Sequence, residues 1–408
     1  MAKTVLVIGT YDTKDDELHY MCSRIEALGG KVLSMDVSVL GDPSRPTDIS
    51  KHDVAAAAGK TIQDAIDAGD ENFAMQIMAR GAAKLTAELH ADGKIDGMVG
   101  LGGTMGTDLV LDCCQALPLG VPKYVVSTVS FSPLIPADRL SPDIQMILWA
   151  GGLYGLNSVC KSSLSQAAGA VLGAAEAVEP PLRDRPVVGM MSLGSSCLKY
   201  MKLLKEPLEE RGFEVAVFHA TGMGGMAFES LARQGYFAVV LDLALPELGN
   251  LMVGSAVNAG EDRLTNAGAR GVPQIVAPGC ADLIDYPGWQ EIPAAYADRP
   301  FHAHNRLIKS SALAPDERRA LIREVSKRLE GAKGAVHFIM PAGGVEEWDR
   351  EGGEAHDPEG LAAMADEARV AMKVPSSEVA CHINDQGFTD EVLRVLDGWI
   401  ADGTVKAG

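Results

Sequence analysis

Three things are scarce in this 408-residue chain: paired cysteine motifs, runs of basic residues and long apolar segments. The seven cysteines (Cys22, Cys113, Cys114, Cys160, Cys197, Cys280, Cys381) are odd in number and lack any C-x-x-C spacing. That excludes a zinc ribbon or a disulfide scaffold and fits reduced thiols in the cytoplasm. Lysine and arginine total 36 against 55 acidic residues, a formal charge of −19. No Lys/Arg cluster offsets this acidity, so nucleic acid and anionic membrane surfaces are excluded as partners. No apolar run approaches the roughly 20 residues of a membrane span. The opening "MAKTVLVIGTYDTKDD" holds too short an apolar stretch for a secretory signal, and a cytoplasmic protein is expected.

What the chain does have is alternation. Short β-branched runs ("TVLVIGTYDTK", "KVLSMDV", "DGMVGLGGTMGT", "KYVVSTVS") each end at a glycine, hydroxyl or carboxylate and lead into a helical pattern. This is the signature of a parallel sheet with helices on both faces. Residues 53–91 are Ala-rich with charges at helical spacing and read as two surface helices. A Pro-rich, charged stretch at 177–186 reads as a linker, after which "VVGMMSLGSSCLKYMKLL" restarts the pattern. The expectation is an α/β chain of two topologically similar Rossmann-like domains, 1–180 and 185–408, with the ligand cleft between them. The small-residue segment 147–177 predicts close helix packing within a domain, across a homodimer face, or both.

In open α/β sheets ligands sit beyond the carboxyl ends of the strands, so the turns after the apolar runs carry the functional expectation. In "GTYDTKDDE", Thr10, Asp12, Thr13 and Lys14 crowd a strand-to-helix turn, where they either cap the helix or contact phosphate. In "GLGGTMGTD", Gly100, Gly102, Gly103 and Gly106 let the backbone approach an anion, with helix N–H groups starting near Thr107 or Asp108. It is neither a P-loop nor G-x-G-x-x-G. The turn "HATGMGGMA" does match G-x-G-x-x-A at Gly222, Gly224 and Ala227, beside Gly225, with Asp242 about twenty residues on as a ribose-binding acid. It reads as the second domain's equivalent of the glycine-rich turn. Cys197 opens a helix and is either a nucleophile or a buried inert thiol. A last cluster (Asp282, Asp285, Arg299, His302, His304, Asn305) offers polar contacts to a ligand, or a divalent-metal site through His-x-His.

The ordered set "GTYDTK", "GLGGTMGT", "HATGMGG", "APGCADLIDY" and "RPFHAHN" resembles, over the whole chain, an uncharacterised bacterial family related to the N-terminal ATP-binding domain of the plant tobamovirus (tomato mosaic virus) resistance protein. The resemblance implies a two-domain Rossmann-like protein that binds ATP with Mg²⁺ and forms a homodimer. It places the nucleotide on Thr10, Asp12, Thr13, Lys14, Gly102, Gly103, Thr104, Gly106 and Thr107. The plant protein's following TIM barrel implies a separately encoded barrel partner. The sequence departs from the family pattern at Met105, where glycine is usual, and at Ala244, Leu245 and Pro246, where threonines are.

The leading expectation is an ATP- and Mg²⁺-dependent nucleotide-binding enzyme of small-molecule, organic-acid metabolism. Lys14 meets phosphate and Mg²⁺ lies near Asp12 or Asp108. An acidic metabolite is held by His302, His304 and Arg299, with Gly222, Gly224, Gly225, Asp282 and Asn305 around it. The alternatives are a sensing module that acts with a separate partner, and a nicotinamide-dependent oxidoreductase resting on Gly222, Gly224 and Asp242.

Overall fold

In a computed structural model, which describes residues 2–299, 301–302 and 305–408 (backbone alone at 137, 301 and 302), the chain divides into a unit ending at Pro181 and a second beginning at Leu182. The β-branched runs of the first unit form β1 (Thr4–Gly9), β2 (Lys31–Asp36), β3 (Gly97–Gly102), β4 (Lys123–Ser127) and β5 (Gln145–Leu148). All pair in parallel, in the order β2-β1-β3-β4-β5. The helices are α1 (Asp15–Ala27), α2 (Lys51–Ala57), α3 (Ile62–Ile66), α4 (Glu71–Ala91), α5 (Thr104–Ala116) and α6 (Ser158–Ala177).

Alternation along the strands sends residues to two cores, as a sheet covered on both faces requires. Leu6, Ile8, Met98 and Val125 pack with α4 and α5, whereas Val5, Val7, Val99 and Val126 pack with α1 and α6. The chain therefore switches faces between β1 and β3, and the crevice beyond their carboxyl ends opens there. The small residues of α6 fit this intradomain role, since Ala167, Ala168, Val171 and Ala175 are all buried.

Residues 53–91 depart from the two-helix expectation. They fall in three helices because Gly59 and Gly69 turn left-handed (φ +73° and +68°) and Thr61 and Asp70 cap the helices that follow. At Gly81 in α4 a Cβ would lie 1.9 Å from the carbonyl oxygen of Val54, so only glycine lets α2 come this close.

The second unit repeats the topology. Its parallel strands are β6 (Val187–Ser192), β7 (Glu214–His219), β8 (Val239–Asp242), β9 (Gln274–Val276), β13 (Val336–Pro341) and β14 (Ser376–Val379), in the order β14-β13-β9-β8-β6-β7. Read from β7, the first five match β2-β1-β3-β4-β5, and β14 extends the edge. A small antiparallel sheet, β10 (Leu283–Pro287), β12 (Ile308–Ala312) and β11 (Phe301–His302), is added outside the repeat. Helices α7 (Leu198–Glu210), α8 (Met223–Arg233), α9 (Pro246–Met252), α10 (Asn266–Arg270), α11 (Pro315–Glu330), α12 (Pro358–Ala371) and α13 (Gln386–Ala401) cover the large sheet. Among the described residues no helix is long and apolar enough to cross a membrane.

The repeat corrects one equivalence. "HATGMGG" follows β7, the counterpart of β2, so the true counterpart of the "GLGGTMG" turn is "LALPE" after β8.

Two glycine-to-alanine substitutions inside helices should have opposite signs. Gly81→Ala should destabilise the first unit by about 1–3 kcal/mol through overpacking. Gly173→Ala, in α6 with nothing within 4 Å of its Cβ, should stabilise by about 0.5–1 kcal/mol through helix propensity. Denaturant midpoints of the two variants against the parent check both.

Candidate functional site

A cavity of about 760 Å³ lies beyond the carboxyl ends of β1, β3, β4 and β5, and every residue lining it belongs to the first unit. The turn after β1 contributes Thr10, Asp12, Thr13 and Lys14. That turn is braced from beneath by buried Asp36, whose Oδ1 accepts the N–H groups of Tyr11 (3.2 Å) and Ser38 (2.9 Å), while Asp12 donates its own N–H to Ser38 Oγ at 3.0 Å. Asp12 Oδ2 accepts the Gly41 N–H at 3.2 Å, and its Oδ1 is buried with no partner among the described residues. Lys14 sits 5.3 Å over the ring of Tyr154 at the cavity wall and is the only basic residue among the described lining.

The turn after β3 supplies Gly102, Gly103, Thr104, Met105 and Gly106. Gly102 has no room for a Cβ, which would stand 2.6 Å from the Gly106 backbone, so strand end and helix start are pressed together. Gly103 is the N-cap of α5 and makes no side-chain cap. The first N–H of the helix to find a carbonyl is that of Thr107, on Gly103 O at 2.9 Å. The N–H groups of Thr104, Met105 and Gly106 are thus free to meet an anion. A Cβ on Gly103 would find nothing nearer than Thr128 Oγ1 at 3.8 Å, so its side of the turn is open space. Another side combines apolar Val39 from the loop after β2, Ala65 and Ile66 of α3, and Ala74 and Met75 of α4 with the acids Asp70 and Glu71. The loop bearing Gly151–Tyr154 is tied down where buried Glu17 Oε1 accepts the Gly155 N–H at 2.8 Å.

Three first-unit residues named from the sequence fall outside this lining: Gly100, where a Cβ would stand 2.3 Å from Val110 of α5, and Thr107 and Asp108. Thr107 is buried, with its hydroxyl 2.6 Å from that of Ser127, because the fourth helical position turns back toward β4. Asp108 is ion-paired with Arg139 at 2.6 Å and lies outside the lining. Among the described residues no three His, Cys, Asp or Glu side chains gather as a metal site. Conversely, Thr128, Met75 and Tyr154 line the cavity without having been singled out. The rule that crevice residues follow strands points to Thr128 after β4 and to the Gly151–Tyr154 stretch after β5.

In the second unit the glycine-rich turn is already filled by the chain itself. Glu247 Oε1 accepts the N–H groups of Gly222 (2.6 Å) and Gly225 (3.1 Å), and a Cβ on Gly225 would collide with that carboxylate at 2.0 Å. Gly224 is glycine for packing, since its Cβ would lie 1.8 Å from His219 O. Arg263, fully buried, bonds Glu247 (2.8 Å), Asp242 (2.5 and 2.7 Å) and Glu229 (3.4 Å). Burial pulls the guanidinium toward neutrality, but Asp242 and its fellow carboxylates outweigh this and hold it charged. Burial pushes Glu247 up to about 7 against the pull of Arg263. Asp242 is therefore a buried ion-pair partner and not a ribose acceptor, and the turn has no vacancy for a pyrophosphate.

Of the last predicted cluster, the described side chains of Arg299 and Asn305 are engaged within the chain. Arg299 is ion-paired with Glu317 and stacks 4.3 Å from the Tyr296 ring. Asn305 Oδ1 caps its own turn on the N–H groups of Leu307 (2.7 Å) and Ile308 (3.1 Å). His302 is described by its backbone, paired with Ser310 in β11–β12, and His304 lies outside the described residues. Cys197 is buried with its Sγ 3.4 Å from that of Cys280, so it is not presented as a nucleophile. Asp282 is buried with both oxygens unpartnered among the described residues, as is Oε1 of buried Glu346. Burial, reinforced by neighbouring acids, raises both carboxyl groups well above the usual range.

With this geometry in hand, the comparisons are consistent along the chain. Residues 3–180 match the N-terminal domain, and 185–400 the C-terminal domain, of the uncharacterised protein family UPF0261. A UPF0261 protein of Brucella melitensis is 53% identical over 99% of this chain and 97% of its own. One from Clostridium tetani is 33% identical over 97% and 98%. The tomato (Solanum lycopersicum) ToMV susceptible protein tm-1(GCR26) is 26% identical over 95% of this chain and 55% of its own length.

Two stability measurements follow from the buried charges. Arg263→Leu strands three carboxylates and should cost at least about 3–5 kcal/mol, read as loss of the folded second unit in denaturant titration of the full chain. Because Glu346 has a raised pKa in the fold, the native state holds a proton that the unfolded state has lost above its carboxylate pKa, so stability falls as pH rises through neutrality. Glu346→Gln should flatten that slope by up to about 1.4 kcal/mol per pH unit, measured from pH 6 to 9.

Proposed function

This chain belongs to the UPF0261 family in both halves, and on that premise we propose that its first unit binds a nucleotide, ATP with Mg²⁺, in the crevice beyond β1 and β3. The observation that carries the reading is the uncapped N-terminus of α5 opening into a cavity of about 760 Å³ at the point where the chain switches faces. Free N–H groups of Thr104, Met105 and Gly106 suit phosphate oxygens, and Lys14 adds the one cation among the described lining residues. The apolar wall of Val39, Ala65, Ala74 and Met75 suits a base. Magnesium is usually held by one or two carboxylates together with phosphate oxygens. Asp12, with its unpartnered buried Oδ1, fits that role.

A nucleotide-binding module that acts with a separate partner is the second reading, and hydrolysis assays on the protein alone separate it from turnover.

Calorimetric titration with ATP, with and without Mg²⁺, tests the proposal. Lys14→Ala should weaken ATP by about 10–100-fold, the loss of one charge-assisted contact, at unchanged melting temperature. Gly103→Val, whose side chain enters open space, should abolish binding and leave the fold intact. Failure of the parent protein to bind ATP saturably at millimolar concentration would sink the nucleotide reading.

A further inference from the structure

We infer that the second unit carries a separate binding site for a small carboxylic acid in its anionic form. A cavity of about 80 Å³ lies where its parallel strands end, and every residue lining it belongs to that unit. By topology it is the counterpart of the first unit's crevice. The turn "LGSS" after β6, which stands where "GTYDTK" stands after β1, forms one wall.

That wall is rich in donors that the chain leaves unmet. The turn is closed by the Cys197 N–H on Leu193 O at 3.2 Å and held by Asn384, whose Nδ2 donates to Ser196 O at 2.6 Å. Among the described residues the N–H groups of Gly194 and Ser195 find no acceptor, and the hydroxyls of Ser195 and Thr221 make no hydrogen bond. Ser196 is only 2% exposed, lines the cavity, and its hydroxyl likewise has no partner among the described residues. A buried polar group in that state calls for a ligand atom or a water. His219, the last residue of β7, pairs in register with Ser192, and a Cβ on Gly194 would lie 3.7 Å from its Cε1, so the imidazole rests on the turn. Its ring nitrogens are unbonded among the described residues, and an imidazole presents an N–H in either charge state.

Backbone and imidazole N–H groups select a ligand group that accepts, and a carboxylate accepts at both oxygens. The carboxylate already in the lining, Asp285, is engaged inside the chain: Ser310 Oγ donates to its Oδ1 at 2.5 Å and Asn250 Nδ2 to its Oδ2 at 3.3 Å. It comes from the small sheet, whereas the donors come from the turns after β6 and β7. Leu283 and Ile308 of the small sheet, with the indole of Trp348, give a face for carbon groups, which favours an organic acid over inorganic phosphate. The volume holds about five water-sized groups, the scale of an acid with two or three carbons.

This site is independent of the nucleotide crevice, and the experiment keeps the two apart. The full-length protein is titrated with acetate, glycolate, inorganic phosphate and glycerol, followed by ligand-observed NMR and by tryptophan fluorescence. Saturable binding of acetate and glycolate, competitive with each other and at least about tenfold tighter than phosphate or glycerol, is expected. His219→Leu and Ser195→Leu should each weaken it by at least about tenfold, and added ATP should leave it unaltered. Both residues are exposed, so these variants should keep the parent's melting temperature. Thr221→Val, which exchanges only a hydroxyl for a methyl, is a third form expected to lose affinity. Preference for phosphate overturns the assignment in favour of an inorganic-anion site, and preference for glycerol overturns the anion reading. Absence of carboxylate binding up to tens of millimolar, displacement by ATP, or binding indifferent to all three variants overturns it as well.

Discussion

The close approach between the end of β3 and the first turn of α5 is the constraint on which the first unit's crevice depends. Gly102 leaves no space for a Cβ against Gly106, and the helix consequently starts with Gly103 alone between it and the strand. Its uncapped N–H groups then face the gap where β1 and β3 send their helices to opposite sides of the sheet. A side chain at 102 would push α5 off the strand, and the cavity would lose its polar floor before any ligand contact was changed. The brace beneath β1, from Asp36 through Ser38 to Asp12, does the same work for the other side of the gap.

The two units share a strand order and resolve its electrostatics in opposite ways. In the first, donors at the strand ends are left unmet by the protein. In the second, glycine-turn donors are met by Glu247, and the charge this brings inside is offset by Arg263, which Glu229 and Asp242 also share. Such a buried network is costly to assemble and costlier to break, because removal of one member leaves the others desolvated and unpaired. Common topology therefore does not carry common ligand chemistry.

Much of this was legible in the sequence, because the signals are local. Each strand is a β-branched run closed by a small or polar residue, and the turns after β1 and β3 stand out as hydroxyl-, lysine- and glycine-rich. What was not legible depends on phase or on distant segments. Thr107 looks like a cradle residue until helical phase turns it to Ser127. Asp242 sits at the spacing of a ribose acid, but its partner Arg263 lies 21 residues further on, with nothing local to mark the pairing. Met75 and Tyr154 reach the cavity only because the sheet order brings α4 and the loop after β5 around the same gap.

The carboxylate seated in the second unit's glycine turn has a consequence for how that unit responds to the cell. A group tethered through the chain competes at an effective concentration that a dissolved metabolite rarely matches. The turn around Gly222 and Gly225 is accordingly insulated from swings in cellular phosphate and nucleotide levels. One half of the molecule leaves its helix N–H groups unmet by the chain, while the other keeps the same topology with its own carboxylate seated in the turn.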